Sequence, residues 1–210
     1  MKLIFFDIDG TLICGGSELM SESTKEAIRI ARANGHICMI NTGRTKRLGG
    51  ENLTGQVEFD GLLLGCGTEI QYHGKQLMHK TFSMEESKAI LAVMKKYHVD
   101  AVLEGSREDY APRGEEVFTD TFRHMAREIE NRKYDRYANA PGNYDKLYAY
   151  AETPAGMVGM KHDLSEILDF IDREQGFYEI VPKGYSKATA IRYITAVSYT
   201  HLTLPTTPYV

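Results

Sequence analysis

The chain opens with Met1-Lys-Leu-Ile-Phe-Phe-Asp7-Ile-Asp9-Gly-Thr-Leu12. Leu3 to Phe6 is a continuous apolar run without alternation, which is typical of a parallel strand buried on both faces. Asp7 and Asp9 interrupt this run where it enters a turn. Carboxylates at the end of a buried strand cost free energy unless a cation meets them. Ligands of open α/β sheets collect at the carboxyl ends of strands, so the pattern predicts a metal site at Asp7 and Asp9.

A simpler interpretation is that the two acids only end a strand and begin a turn, because Asp-Gly is a common turn dipeptide. This interpretation accounts for Asp9-Gly10. It does not account for Asp7, since a strand that ends in two phenylalanines gains nothing from an acid in its last pleat. We therefore favour the metal site over the structural interpretation.

The composition describes an ordinary globular protein. The chain has 210 residues, of which 42% are hydrophobic and 26% charged, with a net charge of -4. This charge offers no basic surface for nucleic acid or an anionic membrane. Cys14, Cys38 and Cys66 show no pairing pattern, which indicates reduced thiols. With no signal peptide and no run of transmembrane length, we expect a cytoplasmic protein without nucleic-acid or membrane partners.

A second strand and its following turn extend the pattern. A capping box at Ser23-Thr-Lys-Glu26 predicts a helix that ends at Asn34-Gly35, and Ile37 to Ile40 predicts another buried strand. Strand, helix and strand in this order are typical of a right-handed parallel crossover. The charged Lys46 and Arg47 follow in a glycine-rich stretch, which predicts a loop with solvated side chains.

The turn after the second strand reads Asn41-Thr42-Gly43-Arg44. Thr42 offers a hydroxyl, Gly43 leaves its backbone N–H approachable, and Arg44 supplies a planar cation. All three suit phosphate oxygens. Alone this tetrapeptide is weak, because most such runs are turns, but its position beside the acid pair predicts a phosphate site.

The middle of the chain changes in character. His73-Gly74 predicts a tight hairpin, and Ser83-Met-Glu-Glu86 predicts the capping box of a helix ending near His98. A further helix is predicted from a cap at Asp163-Leu-Ser-Glu166. Short strands mixed with such helices indicate a separate α+β domain inserted between core elements.

Ser186 and Lys187 open the last predicted helix. Ser186 is an N-cap candidate, which puts Lys187 in the first turn, where the helix dipole already presents positive charge. An anion docked at this helix end would reverse the penalty. The alternative is an exposed lysine that costs a few tenths of a kcal/mol.

Three motifs together resemble the haloacid dehalogenase superfamily, and within it the Cof-type, sugar-phosphatase-like hydrolases with a large cap. The motifs are Asp7-Ile-Asp-Gly-Thr11, Asn41-Thr-Gly-Arg44 and Lys183-Gly-Tyr-Ser-Lys187, and the resemblance covers Met1 to about Ile194. Cys66 stands where many relatives have Asn before Gly.

The resemblance implies a fold with two parts. The core would be a Rossmann-like parallel α/β sheet built from residues 1–82 and 179–196, and residues 83–178 would form an inserted α+β cap.

The resemblance also implies a mechanism for a Mg²⁺-dependent phosphatase of small phosphorylated metabolites. Asp7 would be the nucleophile that forms an aspartyl-phosphate, and Asp9 the acid and base. Mg²⁺ would be held by the Asp7 carboxylate and the Asp9 backbone carbonyl. Thr42 and Lys187 would hold the equatorial phosphate oxygens, as catalytic residues. Further substrate contacts are expected from Gly10, Thr11, Gly43 and Arg44.

One family motif has no counterpart. The fourth motif supplies further acids to the Mg²⁺, and no Asp or Glu follows Lys187. Residues 197–210 resemble the translated read-through of a sequencing adapter, so we expect a non-native tail, a core incomplete at the C-terminus and impaired activity of this chain.

Two other functions stay open. A phosphomutase-type phosphotransferase would pass the phosphoryl group to a sugar instead of water. A non-catalytic module would bind phosphate without turnover, although the presence of both Asp7 and Asp9 argues against it. The sequence does not identify the substrate or the oligomeric state.

Overall fold

The strands form two sheets in the computed structural model, which describes residues 1–14, 18–131, 134–137, 140 and 142–202. In chain order the strands and α-helices are β1 (Leu3–Phe6), α1 (Glu22–Ala33), β2 (Ile37–Asn41), α2 (Lys46–Thr54), β3 (Gly61–Leu64), β4 (Glu69–Tyr72), β5 (Lys75–His79), α3 (Met84–Tyr97), β6 (Val99–Glu104), β7 (Asp109–Ala111), α4 (Asp120–Asn131), β8 (Asp135–Arg136), β9 (Lys146–Ala151), α5 (Pro154–Leu164), β10 (Leu168–Asp172), β11 (Phe177–Pro182) and α6 (Lys187–Leu202).

The first sheet has the strand order β1-β2-β3-β4-β5, with β1 at one end. The strands β1, β2 and β3 are parallel, and β4 and β5 add an antiparallel hairpin. Side chains of β2 alternate between two buried layers. Cys38 and Ile40 pack with Ile28 of α1, whereas Met39 packs with Ile194 of α6 on the opposite face. Helices cover both faces, as expected for parallel strands, which confirms the predicted α/β core.

The second sheet has the order β10-β11-β9-β6-β7-β8 and is mostly antiparallel. Ile90 of α3 and Met157 and Met160 of α5 cluster with Leu147 of β9, so α3 and α5 cover one face. This confirms an inserted α+β unit. Its last strand, β11, pairs with β10 as far as Pro182, three residues beyond the predicted start of the returning core segment at residue 179.

Two local predictions are confirmed in detail. His73 and Gly74 have φ of 47° and 73°, the pair of positive values that a type I′ hairpin requires. The capping box is reciprocal, because Glu86 N donates to Ser83 Oγ (3.1 Å) and Ser83 N donates to Glu86 Oε2 (2.7 Å). The helix that it begins, α3, ends at His98 in the left-handed conformation.

Two predictions around α1 and α2 are wrong. The N-cap of α1 is Ser21 rather than Ser23, since Thr24 N donates to Ser21 Oγ (3.1 Å). The stretch predicted as a loop after Arg44 is the helix α2. Its glycines suggested a loop, but a Cβ on Gly49 would lie 2.7 Å from Arg44 Cδ, so Gly49 serves the close approach of that side chain.

The helix predicted from Asp163 is also wrong. The helix α5 begins nine residues before Asp163, at Pro154, with Thr153 as the N-cap residue, and ends at Leu164. The following residues form β10, because they pair in register with β11. Asp163 instead accepts hydrogen bonds from Lys96 Nζ (2.7 Å) and Tyr97 Oη (2.9 Å), which tie α5 to α3.

The last described helix begins as predicted, since Thr189 N donates to Ser186 Oγ (3.1 Å). Residues 203–210 of the expected non-native tail lie outside the described residues. Among the helices that the structure describes, none is both long and apolar enough to cross a bilayer.

Arg47 of α2 pairs with the fully buried carboxylate of Asp109 in β7 and so joins the two sheets. We expect Arg47→Ala to lower the free energy of unfolding by about 2 to 4 kcal/mol, because it leaves a buried carboxylate without its cation. Urea denaturation monitored by circular dichroism measures this change. Arg29→Ala, which removes an exposed ion pair to Glu26, is the control and should cost less than about 1 kcal/mol. Equal effects of the two substitutions would contradict the prediction.

Candidate active site

The carboxyl end of β1 meets the first turn of α6. Lys187 Nζ lies 2.6 Å from Asp7 Oδ2, and the Ile8 backbone N–H donates to Asp7 Oδ1 (2.8 Å). Both charged side chains keep about a third or more of their surface exposed. The carboxylate of Asp7 is therefore fixed from two sides and still open to solvent.

The second acid is held by the turn after β2. Arg44 donates from Nη2 to Asp9 Oδ1 (2.6 Å) and from Nε to Asp9 Oδ2 (3.0 Å), a two-point contact that planar guanidinium groups favour. The hydrogen bond to Asp9 raises the pKa of Arg44, against a smaller opposing effect of burial. The cation that we expected on phosphate thus rests on Asp9, whose side chain is 62% exposed.

A cavity of about 370 Å³ collects most of the predicted site. The core contributes the predicted residues Asp7, Asp9, Gly43, Arg44 and Lys187, and also Leu48. The cap contributes Glu104, Lys146, Tyr148, Arg173 and Glu179. The cavity therefore lies between the two sheets, at the carboxyl ends of β1 and β2.

Three predicted residues do not line this cavity. Thr42 is fully buried, and its hydroxyl accepts a hydrogen bond from the Arg44 backbone N–H (3.2 Å). Gly10 and Thr11 lie exposed in the turn after β1, where Gly10 has a φ of 75° and donates its N–H to the Ile13 carbonyl (2.9 Å). Their roles toward a substrate stay predictions.

The cap side of the cavity carries charges that the sequence analysis did not select. Lys146 Nζ lies 3.0 Å from Glu104 Oε2 and also binds Glu179, which accepts from Arg173 Nε (3.0 Å). In β9, Lys146 and Tyr148 face the cavity while Leu147 packs into the cap core. A signal was present, because a lysine or glutamate inside an otherwise apolar strand breaks the pattern of that strand.

With this geometry established, comparison with known proteins assigns the family. The profile of the haloacid dehalogenase-like hydrolases matches residues 4–203. This chain belongs to that family. The resemblance of the three sequence motifs is thereby confirmed. Among curated protein sequences, no match is found.

Solved structures give the same fold. A sugar phosphatase of HAD subclass IIB has a TM-score of 0.74 and 19% identity, over 95% of this chain and 76% of its own. A phosphatase of the same superfamily from Bacteroides thetaiotaomicron has a TM-score of 0.77 and 19% identity, over 95% and 73%. A haloacid dehalogenase-like hydrolase from B. subtilis has a TM-score of 0.69 and 16% identity, over 95% and 79%.

Electrostatics keep Lys146 and Glu179 of this hydrolase ionised, whereas burial raises the pKa of Glu104. Burial raises the pKa of Glu179, but the charge of Lys146 and hydrogen bonds from Lys146 and Arg173 outweigh it and lower that pKa to about 2. Burial alone would lower the pKa of Lys146. The attraction of Glu104 and Glu179 outweighs this effect and holds the pKa of Lys146 above its ordinary value. The cavity wall therefore holds fixed charges at neutral pH.

Cys66 lies beside Gly43 of the cavity and adopts φ 56° and ψ 34°, the left-handed region that Asn tolerates better than most residues. Burial, followed by the charge of Glu179, raises the pKa of Cys66 to about 12. The thiol is protonated at neutral pH, which makes it a poor nucleophile. A Cβ on Gly43 would lie 2.6 Å from Glu179 Oε1 and 3.4 Å from Cys66 Sγ, so glycine permits this close approach.

The donors at Asp7 and Asp9 fit Mg²⁺. Both carboxylates line the cavity, and each oxygen of Asp7 retains a lone pair beyond its single hydrogen bond. Mg²⁺ prefers oxygen ligands and is commonly held by one or two carboxylates together with water and substrate phosphate.

The lowered pKa of Glu179 predicts how the free energy of unfolding changes as the pH falls. Its ionised form stabilises the folded state above the ordinary pKa of 4.5, and this contribution is lost as the pH falls toward about 2. We expect Glu179→Gln to be less stable than the natural chain by a few kcal/mol at about pH 7, with the gap narrowing at about pH 3. Urea denaturation at several pH values measures both. A gap that stays constant over this range would refute the assignment, and the exposed pair of Glu26 with Arg29 provides a control in Glu26→Gln.

Proposed function

We propose that this chain hydrolyses small phosphomonoesters, such as sugar phosphates, through an aspartyl-phosphate on Asp7. The observation that carries the proposal is the contact of Lys187 with Asp7 at 2.6 Å, in a cavity shared with Asp9 and Arg44. A carboxylate held by a cation and open to solvent is suited to attack on phosphorus. A small phosphorylated metabolite as the partner and a cytoplasmic location are part of the same proposal.

In the first step a free lone pair of the Asp7 carboxylate attacks phosphorus, and the bond from phosphorus to the ester oxygen breaks. Asp9 gives a proton to the departing alcohol. In the second step Asp9 takes a proton from water, the water oxygen attacks phosphorus, and the Asp7 carboxylate is released with inorganic phosphate. Lys187 orients Asp7 in both steps and meets the negative charge of the phosphoryl oxygens.

In this scheme the guanidinium of Arg44 leaves Asp9 and binds the phosphate of the substrate. The guanidinium holds Asp9 before substrate arrives, and phosphate oxygens offer it an equivalent two-point contact. Its transfer to phosphate would release the exposed side chain of Asp9 for proton transfer. The N–H of Gly43 would also donate to the phosphate. The buried side chain of Thr42 would shift so that its hydroxyl makes the last of the expected phosphate contacts.

Mg²⁺, held by the Asp7 carboxylate and the Asp9 carbonyl, would supply charge neutralisation between two anionic reactants.

The cap wall supports a hydroxyl-rich leaving group. The carboxylates of Glu104 and Glu179 accept hydrogen bonds from hydroxyls, and Lys146, Tyr148 and Arg173 donate to their oxygens. An apolar leaving group would desolvate these charges without replacing their hydrogen bonds. A sugar phosphatase of HAD subclass IIB among the similar folds agrees with this preference.

Asp7→Asn tests the nucleophile. We expect kcat for sugar phosphates to fall at least about 10³-fold, because the amide cannot form the acyl phosphate. Phosphate release from a panel of sugar phosphates with and without Mg²⁺ measures the effect. Asp120→Asn, an exposed acid at the start of α4, is the matched control and should leave kcat unchanged.

Each other outcome identifies a different function. Transfer of the phosphoryl group to a second sugar instead of water would indicate a phosphotransferase. Phosphate binding without Mg²⁺-dependent turnover by the natural chain would indicate a binding module. Equal kcat values for Asp7→Asn and the natural chain would exclude the covalent mechanism.

Tyr148→Phe tests the substrate class. The ring stacks on Phe177 at 5.3 Å between centroids, so the substitution removes the hydroxyl and keeps the packing. We expect KM for a sugar phosphate to rise about tenfold, as the loss of one hydrogen bond predicts. KM for a phosphate ester without hydroxyl groups should change little. A similar change in KM for both esters would mean that the Tyr148 hydroxyl does not bind the sugar.

A further inference from the structure

A second polar cluster lies between the sheets, away from Asp7 and Asp9. Glu69 begins β4, His79 ends β5, Ser106 follows β6, and Asp145 precedes β9. The Ser106 hydroxyl lies 2.7 Å from Glu69 Oε2, 3.2 Å from His79 Nε2 and 2.8 Å from Asp145 Oδ2. Two segments of the core and two of the cap thus converge on one point.

The cluster has more negative than positive charge. The side chain of Asp145 is fully buried, and Glu69 is 1% exposed. The imidazole of His79 is the basic group in direct contact, since its Nε2 lies 3.0 Å from Asp145 Oδ1, while Lys46 and Arg107 line the adjoining cavity. Gln71 Nε2 donates to Glu69 Oε1 (2.6 Å), which directs Oε2 toward the centre. Within this set of contacting groups, one imidazole carries at most one positive charge, whereas two buried carboxylates carry two negative charges, and burial of that excess is costly.

The ligand atoms lie near enough that small side-chain shifts would let them share one ion. One nitrogen or oxygen atom from each of Glu69, His79 and Asp145 lies within 4.8 Å of the other two. Ligands at about 2.0 to 2.2 Å from a metal are separated from each other by about 3 to 3.5 Å. The distance of 3.0 Å from His79 Nε2 to Asp145 Oδ1 already meets this condition.

The ligand types select the metal. An imidazole with two carboxylates is a set that Zn²⁺ accepts, whereas Mg²⁺ prefers oxygen alone. The site also has an entry path, because Glu69, His79 and Ser106 line a cavity of about 600 Å³.

We propose that Glu69, His79 and Asp145 bind a divalent transition-metal ion of the Zn²⁺ class, with the Ser106 hydroxyl or a water as the fourth ligand. The ion bridges β4 and β5 of the core to the start of β9 in the cap. Its role is structural, since it fixes the position of the cap beside the catalytic cavity.

Zinc binding by the untagged, EDTA-treated chain tests the proposal. Calorimetric titration with ZnCl₂ should show one site per chain, and excess Zn²⁺ should raise Tm by about 5 to 10 °C. His79→Gln and Glu69→Gln should each weaken zinc affinity at least about tenfold. His73→Gln, in the exposed hairpin turn, is the matched control and should bind as the natural chain does. Asp7→Asn should also bind Zn²⁺ normally, which separates this site from the catalytic one.

Co²⁺ provides a second measurement that does not depend on stability. The natural chain should show d–d absorption bands of bound Co²⁺, and His79→Gln should lose them while its far-ultraviolet circular dichroism is retained. Absence of a site in the natural chain, or zinc affinity unaffected by both substitutions at the cluster, would overturn the proposal. Loss of zinc binding in Asp7→Asn instead would place the ion at the catalytic carboxylates.

Discussion

The ion pair between Lys187 and Asp7 joins residues 180 positions apart, and the geometry of the candidate active site depends on it. A lysine in the first turn of a helix is disfavoured by the helix dipole, and a carboxylate at 2.6 Å offsets that cost. The pair forms only when α6 docks on the first sheet, where Ile194 packs against Met39. Orientation of the candidate nucleophile is therefore a consequence of tertiary packing. The same contact closes the core and prepares the site.

The alternation of β9 links the cap core to the cavity wall. Leu147 and Ala149 pack among the cap helices, and the intervening Lys146 and Tyr148 face the catalytic cavity. A slip of one residue in strand register would exchange the two sets, so the hydrophobic core of the cap fixes which charges reach the substrate. Gly43 completes the arrangement, because any larger residue would meet Glu179 across the cavity. The packing of the cap core and the choice of side chains that line the cavity therefore depend on the same strand, β9.

The sequence predicted those structural features whose physical cause lies within a few residues. The acids that break β1, the capping box of α3 and the positive-φ turn at His73 each carry their physical cause within a few residues. The helix α2 and the strand β10 were missed because their causes are distant: Gly49 makes room for Arg44, and β10 exists by pairing with β11. The charged cap residues carried a local signal, since they break the pattern of their strands, but their position opposite Asp7 follows from the fold.

The two carboxylate clusters of this chain differ in how their negative charge is neutralised. Asp7 and Asp9 were expected to need a metal because of the cost of burial, but both remain partly exposed, and Lys187 and Arg44 already neutralise them. A metal there would serve chemistry rather than folding. The cluster of Glu69, His79 and Asp145 is the converse case, because its two carboxylates are buried and share one imidazole. An ion at this cluster would contribute to folding and not to the reaction. The cost of buried charge is therefore higher at Glu69 and Asp145 than at Asp7 and Asp9.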